Sequence, residues 1–145
     1  MNANTIKDTF TKGFTAFHRQ VFKTTKGRIG GTAFGMPVVI LTTTGRKSGQ
    51  ARETMLTSPL QDGDTVVLVA SYGGDDRSPA WYLNLRDHPE VTLTMQGRTR
   101  SMKARTATVD EKAELWPKVV AGYKGYAGYQ TKTDRDIPLV LLDPA

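Results

Sequence analysis

Cysteine is absent from this chain, so a disulfide framework, a thiolate nucleophile and a thiolate metal site are all excluded. Histidine occurs only at His18 and His88, too few for a histidine-rich metal centre, and the sequence points to no metal. No stretch approaches the roughly 18 consecutive apolar residues of a membrane span. The N-terminus lacks the apolar core of a signal peptide, so a cytoplasmic protein is expected. There is no G-x-G-x-x-G, no nucleophile elbow to accompany the histidines, no internal repeat, no low-complexity tract and no inter-domain linker.

The 145 residues suggest one core. The net charge of +6 is unevenly placed. Residues 1–30 hold six basic side chains (Lys7, Lys12, Arg19, Lys23, Lys26, Arg28) against Asp8 alone, leaving the remaining residues nearly neutral. Ile6, Phe10, Phe14, Phe17 and Val21 recur at helical spacing, so residues 4–23 read as an amphipathic helix. Two readings fit it. The stripe packs on the domain, or it lies on an anionic membrane surface with the lysines outward, which would place the protein peripherally at the inner face. The division expected is a basic helix and linker over 1–30 and a cofactor-binding domain over 31–145.

The remainder is rich in β signals. "MPVVILTTT" (36–44) is a β-branched run, "RETMLTSPL" (52–60) a second strand weakened by Pro59, and "TVVLVAS" (65–71) a third after a turn at 61–64. "YGGDD" (72–76) reads as a flexible loop. Ser78 and Pro79 open a short helix to about Arg86. A hairpin turns at Gly97 between strands 90–96 and 99–108. Asp110 caps a helix that Pro117 should kink, and 137–144 is a last strand. About six strands joined mainly by short turns, with short helices between, indicate a mainly β, α+β small barrel rather than a βαβ nucleotide fold.

The segment "LTTTGRKSGQAR" (41–52) ends a strand in a turn carrying Arg46, Lys47, Ser48 and Gly49, with Arg52 close behind. It is not a nucleotide P-loop, because Leu41 and Arg46 stand where that motif needs glycine. It reads either as an anion-binding turn or as a solvated basic hairpin.

Taken together, "PVVILTTTGRKSGQAR" (37–52), "VASYGG" (69–74), "PAWYLNLRDHPEV" (79–91), "WPKVVAGYKGYAGYQ" (116–130) and "TDRDIPLVLLDP" (133–144) resemble the deazaflavin-dependent nitroreductases and quinone reductases, which use reduced coenzyme F-420. The resemblance spans roughly residues 30–144. It implies a split β-barrel similar to the flavin mononucleotide oxidoreductases, and hydride transfer to quinones, nitroaromatics or other activated double bonds. It also implies that Arg46, Lys47, Ser48, Gly49 and Arg52 hold the phosphate and glutamate tail of the cofactor. Forked guanidinium donors suit those anions. The resemblance further implies that Val69, Ala70, Ser71 and Tyr72 line the ring edge, and that Trp81 walls the pocket unless it is core. Glu53 and Tyr72 depart from the family pattern and bear on substrate range.

Tyr123, Tyr126 and Tyr129 recur every three residues, interleaved with Gly122, Gly125 and Gly128. The stripe reads either as core packing or, as the resemblance favours, as a glycine-hinged mobile lid over a flat acceptor. Tyr126, central in it, is the expected hydrogen-bond donor to the acceptor oxygen, with Tyr123, Tyr129 and Ser71 beside it. Two other readings stay in competition: a flavin mononucleotide enzyme on the same barrel, and a basic nucleic-acid-binding module. No basic-aromatic stacking groove supports the second, so no nucleic-acid partner is expected.

Overall fold

The computed structural model describes residues 32–33 and 35–145. The helix expected over 4–23, with its membrane contact, lies outside those residues. Eight strands run in the order β1 (Thr32–Ala33), β2 (Met36–Thr44), β3 (Ala51–Thr57), β4 (Leu60–Asp62), β5 (Thr65–Val69), β6 (Glu90–Met95), β7 (Arg98–Thr106) and β8 (Leu139–Pro144). Three helices interrupt them: α1 (Ala80–Asp87) before β6, then α2 (Val109–Gly122) and α3 (Gly125–Thr131) before β8.

All pairings are antiparallel, and the sheet runs β3-β2-β6-β7-β8-β5-β4, with β1 folded onto the start of β2. The first and last strands of that order, β3 and β4, are consecutive in the chain and separated only by Ser58 and Pro59. The sheet therefore has to curl until its ends meet. Ser58 fastens the meeting point: its amide donates to Pro37 O (3.0 Å), and its buried hydroxyl lies 2.7 Å from Val67 O.

Strand alternation sorts the core. On β5 and β8, Val66, Leu68, Val140 and Leu142 share one cluster with Val39, Leu41, Leu93 and Met102, and α1 adds Trp81, Tyr82 and Leu85 to it. The alternate residues Val67, Val69, Leu139 and Leu141 face a second cluster with Val119 of α2 and Tyr126 of α3. β2 is buried on both faces, which explains its unbroken apolar run: Val38 and Ile40 pack with Ala33 and Met55.

Several expected boundaries move. The strand expected over 52–60 stops at Thr57, because Pro59 has no N–H for a ladder, and a separate short β4 pairs with β5. The turn falls at Gly63, whose φ is +60°. Pro79, not Ser78, is the α1 N-cap residue and makes no side-chain cap. Thr108, not Asp110, caps α2, through a reciprocal capping box with Glu111. Pro117 lies inside a continuous α2. Both Pro117 and Ala113 are exposed, so the carbonyl left without its helical donor is on the solvated face. No helix among the described residues is long and apolar enough to cross a membrane.

Candidate functional site

The basic turn is a six-residue connection above the Thr44–Ala51 pair. Gly45 N–H donates to Gln50 O (2.8 Å) and Gly49 N–H to Gly45 O (2.8 Å). Gly49 holds φ at +72°, the left-handed region where glycine is unstrained. A Cβ on Gly45 would come within 2.6 Å of Ser48 Oγ and 3.6 Å of Arg52 Nε, so those two side chains fold over the glycine from both ends of the turn. Arg46, Lys47 and Arg52 are exposed, and among the described residues no carboxylate pairs with them. Strand register places Arg52 opposite Thr43 and Glu53 opposite Thr42, so Glu53 projects from the other face of β3.

A residue with no assigned role in the sequence reading anchors this turn. Asn84 of α1 accepts from Arg46 N–H (3.0 Å) and donates to Thr43 Oγ1 (3.3 Å), with both side chains buried. A polar residue between Trp81 and Leu85 on the buried side of a helix was the available signal. α1 thus ties the turn to the body, while Trp81 itself packs edge-on against Tyr82 in the core.

The "YGGDD" segment, expected to be flexible, is instead tightly held. Tyr72, Gly73 and Gly74 all have positive φ (47°, 64° and 83°). Arg77 forks onto Asp75 (3.1 and 3.0 Å) and lies 5.1 Å from the Tyr72 ring centre. The Arg135 guanidinium donates to the carbonyls of Ala70 (3.1 Å), Ser71 (2.9 Å) and Asp75 (2.9 Å). Thr133 donates to Asp76 (2.6 Å). Val69, Ala70 and Ser71 are buried, and neither the Ser71 amide nor its hydroxyl has a hydrogen-bond partner among the described residues.

The tyrosines form a cluster rather than a slanting stripe. The chain breaks between α2 and α3 at Tyr123–Lys124, which turns Tyr123 back onto the others. Ring centres lie 5.0 Å (Tyr123–Tyr126), 6.0 Å (Tyr126–Tyr129) and 6.3 Å (Tyr123–Tyr129) apart. Tyr126 is 6% exposed, and its hydroxyl donates to Met36 Sδ at 3.8 Å. The hydroxyls of Tyr123 and Tyr129, both half-buried, are 3.4 Å apart.

Two of the three glycines permit close packing beside the break between the helices. A Cβ at Gly125 would be 2.4 Å from the Tyr123 ring, and one at Gly122 would be 2.4 Å from Pro59 O. Burial pushes the Tyr126 phenol up. The bond with Tyr123, then burial, push Tyr129 up to about 12. Tyr129 therefore remains a neutral O–H at neutral pH. The Tyr129 carbonyl lies 2.8 Å from where a Gly74 Cβ would stand, so the tyrosine helix packs directly on the Tyr72–Gly74 loop.

The structure thus packs the tyrosine helix α3 on the Tyr72–Gly74 loop and ties the basic turn to α1, the helix that follows the loop. Among the described residues no cluster of side chains is suited to a metal.

A sequence profile described as F420H(2)-dependent quinone reductase matches residues 15–144. The F420H(2)-dependent quinone reductase Rv1261c of Mycobacterium tuberculosis (strain ATCC 25618 / H37Rv) is 39% identical over 129 residues, 86% of each chain. A solved F420-H2 dependent reductase, FDR-A, superposes with a TM-score of 0.67 at 38% identity, covering 74% of this chain and 94% of that one. A solved chain described as a domain-swapped dimer gives a TM-score of 0.70 at 32% identity, over 92% and 98%. With the profile spanning the described sheet, the basic turn and the tyrosine cluster alike, this chain belongs to the F420H(2)-dependent quinone reductase family.

Proposed function

We propose that this chain binds reduced coenzyme F-420 and delivers its hydride to a quinone, with nitroaromatics as further acceptors of the same flat, electron-poor kind. The observation that carries the reading is the basic turn: three exposed cations without carboxylate partners among the described residues, on a hairpin pinned by Asn84. Such a donor set fits the phosphate and glutamate tail. Forked Arg46 and Arg52 suit its oxygens, Lys47 adds a point charge, and Ser48 and the glycines keep the backbone close. The curled sheet supports the split-barrel reading, with Val69 to Tyr72 along the ring.

When bound, the reduced deazaflavin supplies a hydride in a two-electron step. The chain's own task is to orient ring and acceptor, exclude water and meet the negative charge that appears on the acceptor oxygen. Ser71 offers a hydroxyl and an amide without partners among the described residues. Tyr123 and Tyr129 offer a hydrogen-bonded pair of hydroxyls, with Tyr129 on the helix that packs on the loop. Tyr126, directed at Met36, serves as wall and support for that pair.

Fluorescence titration with F-420 and with flavin mononucleotide, followed by rapid mixing of the reduced complex with a soluble quinone, tests the reading. Preferred binding of F-420 and single-turnover oxidation by the quinone are expected. Equal or tighter binding of flavin mononucleotide would sink it, since that cofactor has no glutamate tail to engage the turn.

A further inference from the structure

Nothing in the reaction above gives a task to Arg135, yet the loop beside the tyrosines is built around it. Its Nη2 donates to two successive carbonyls, Ala70 and Ser71, and its Nε to Asp75. Among the described residues no carboxylate pairs with this guanidinium, and its buried Nη1 has no hydrogen-bond partner. A cation neutralised only by peptide dipoles, with one donor stranded, is poorly satisfied on its own account. The segment that carries it is nevertheless fixed: Gln130 donates to the Arg135 carbonyl (2.8 Å) and accepts from Ile137 N–H (3.0 Å), and Arg135 N–H reaches Thr133 Oγ1 (3.3 Å).

The consequence lies on the other side of the loop. In a trans peptide the C=O and the following N–H point in opposite directions, and no peptide among the described residues is cis. The Ala70 carbonyl belongs to the same peptide as the Ser71 amide. Drawing that carbonyl onto Arg135 turns the Ser71 N–H away from the guanidinium. A carbonyl that accepts from a cation is also polarised, which makes its peptide N–H a stronger donor. The positive φ values from Tyr72 to Gly74 bend the chain back, and the third bond, to Asp75, holds that bend. The outcome is a buried residue, Ser71, whose amide is aimed, strengthened and left without a protein acceptor.

We infer that Arg135 is a positioning residue for hydride transfer: from behind the Ala70–Asp75 loop it aims and polarises the Ser71 amide toward the carbonyl edge of the cofactor ring. The inference rests on the F-420 reading. It separates two functions of positive charge in one protein. The exposed turn holds the tail, and Arg135 acts on the ring through a peptide bond.

The test uses Arg135→Ala and Arg135→Lys in the full chain, with two readouts. The first is the Ser71 amide proton shift by NMR in cofactor-free protein. The second is affinity for a deazaflavin-ribityl fragment that lacks phosphate and glutamates. In both variants the Ser71 amide proton should move upfield. Fragment affinity should fall about tenfold in Arg135→Ala. Guanidinium added at low, non-denaturing concentration should restore it there but not in Arg135→Lys. If Arg135→Ala does not fold, Arg135→Lys carries the test, because it keeps the charge but its single ammonium cannot span the three carbonyls. An unchanged Ser71 shift, or unchanged fragment binding in a folded variant, overturns the inference while leaving the F-420 reading intact. Wild-type protein that binds neither fragment nor intact F-420 overturns both.

Discussion

The basic turn and the Tyr72 loop are both short connections beside α1, and they are made in opposite ways. The turn exposes its charges and keeps two internal backbone bonds, and its chief outside anchor is Asn84. The loop buries Ser71 and the Asp75 side chain, takes three consecutive positive φ values and is gripped by Arg77, Thr133 and Arg135. An exposed cation is solvated until a ligand arrives, so it can serve a long, variable anionic tail without exact fit. A buried donor that replaces water must already be in place, because a reacting ring tolerates little misplacement. The comparison assigns affinity to the turn and geometry to the loop with its tyrosines.

The largest effect expected on that division is on the geometry side. Tyr123→Phe with Tyr129→Phe should lower the hydride-transfer rate, by about 2.7–4 kcal/mol of barrier if the pair is the main donor to the acceptor oxygen, while F-420 affinity stays near wild type. Tyr126→Phe should do far less, since its hydroxyl faces Met36 sulfur. Rapid mixing with a soluble quinone measures both. A larger loss in Tyr126→Phe than in the double variant would reverse the roles.

Next in size, Lys47→Ala or Arg52→Ala should weaken F-420 binding by about 1.5–3 kcal/mol, with no change for the ring-ribityl fragment. Equal losses for the two ligands would reduce the turn to a support of the fold.

Asn84→Ala links the regions and should act on both, by about 1–2 kcal/mol. It strands the Thr43 hydroxyl in the core, which a denaturant titration will register. It also loosens the Arg46 amide, which the F-420 titration will register. The loss stays modest because water reaches the exposed turn. Loss of stability with undiminished affinity would show that the turn needs no pinning.

The smallest effect is a pH dependence. Tyr129 is pushed up to about 12 in the fold from an ordinary 10.0. As pH rises from 10 the unfolded chain loses that proton while the folded chain keeps it. Stability is therefore undiminished below 10 and falls between 10 and about 12. Spectrophotometric titration of tyrosinate should show late-titrating phenols in wild type, with one fewer in Tyr129→Phe. A Tyr129 that titrates at 10 would mean that its bond to Tyr123 does not persist.

The two regions also differ in how far they can be read from sequence. The turn is contiguous, so its cations, serine and glycines announce it, and the strands around it follow from β-branched runs. The capping box at Thr108 and Glu111 was equally local, and reading Asp110 as the cap missed a signature that was present. Asn84 and Arg135 act over 38 and 64–65 residues of chain, onto a backbone N–H and backbone carbonyls that carry no residue-type signal. The glycines were legible in part. They announce the break between α2 and α3, but not that Gly122 and Gly125 also lie in close contact with Pro59 and Tyr123. Pro117 does not end the helix, because a helix tolerates proline where the widowed carbonyl is wet.

The two-residue link from β3 to β4 has a consequence for the edges of the sheet. An antiparallel sheet that ends in free edges invites a strand from another molecule. Here the end of β3 passes directly into the start of β4, and Ser58 in the link bonds to Pro37 of β2 and Val67 of β5. β4 is only three residues long, and the link carries Pro59, which has no N–H to offer an incoming strand. Cutting or lengthening the chain at 58–59 would remove the bonds by which Ser58 ties β2 to β5 at this corner, and so loosen the curl of the sheet.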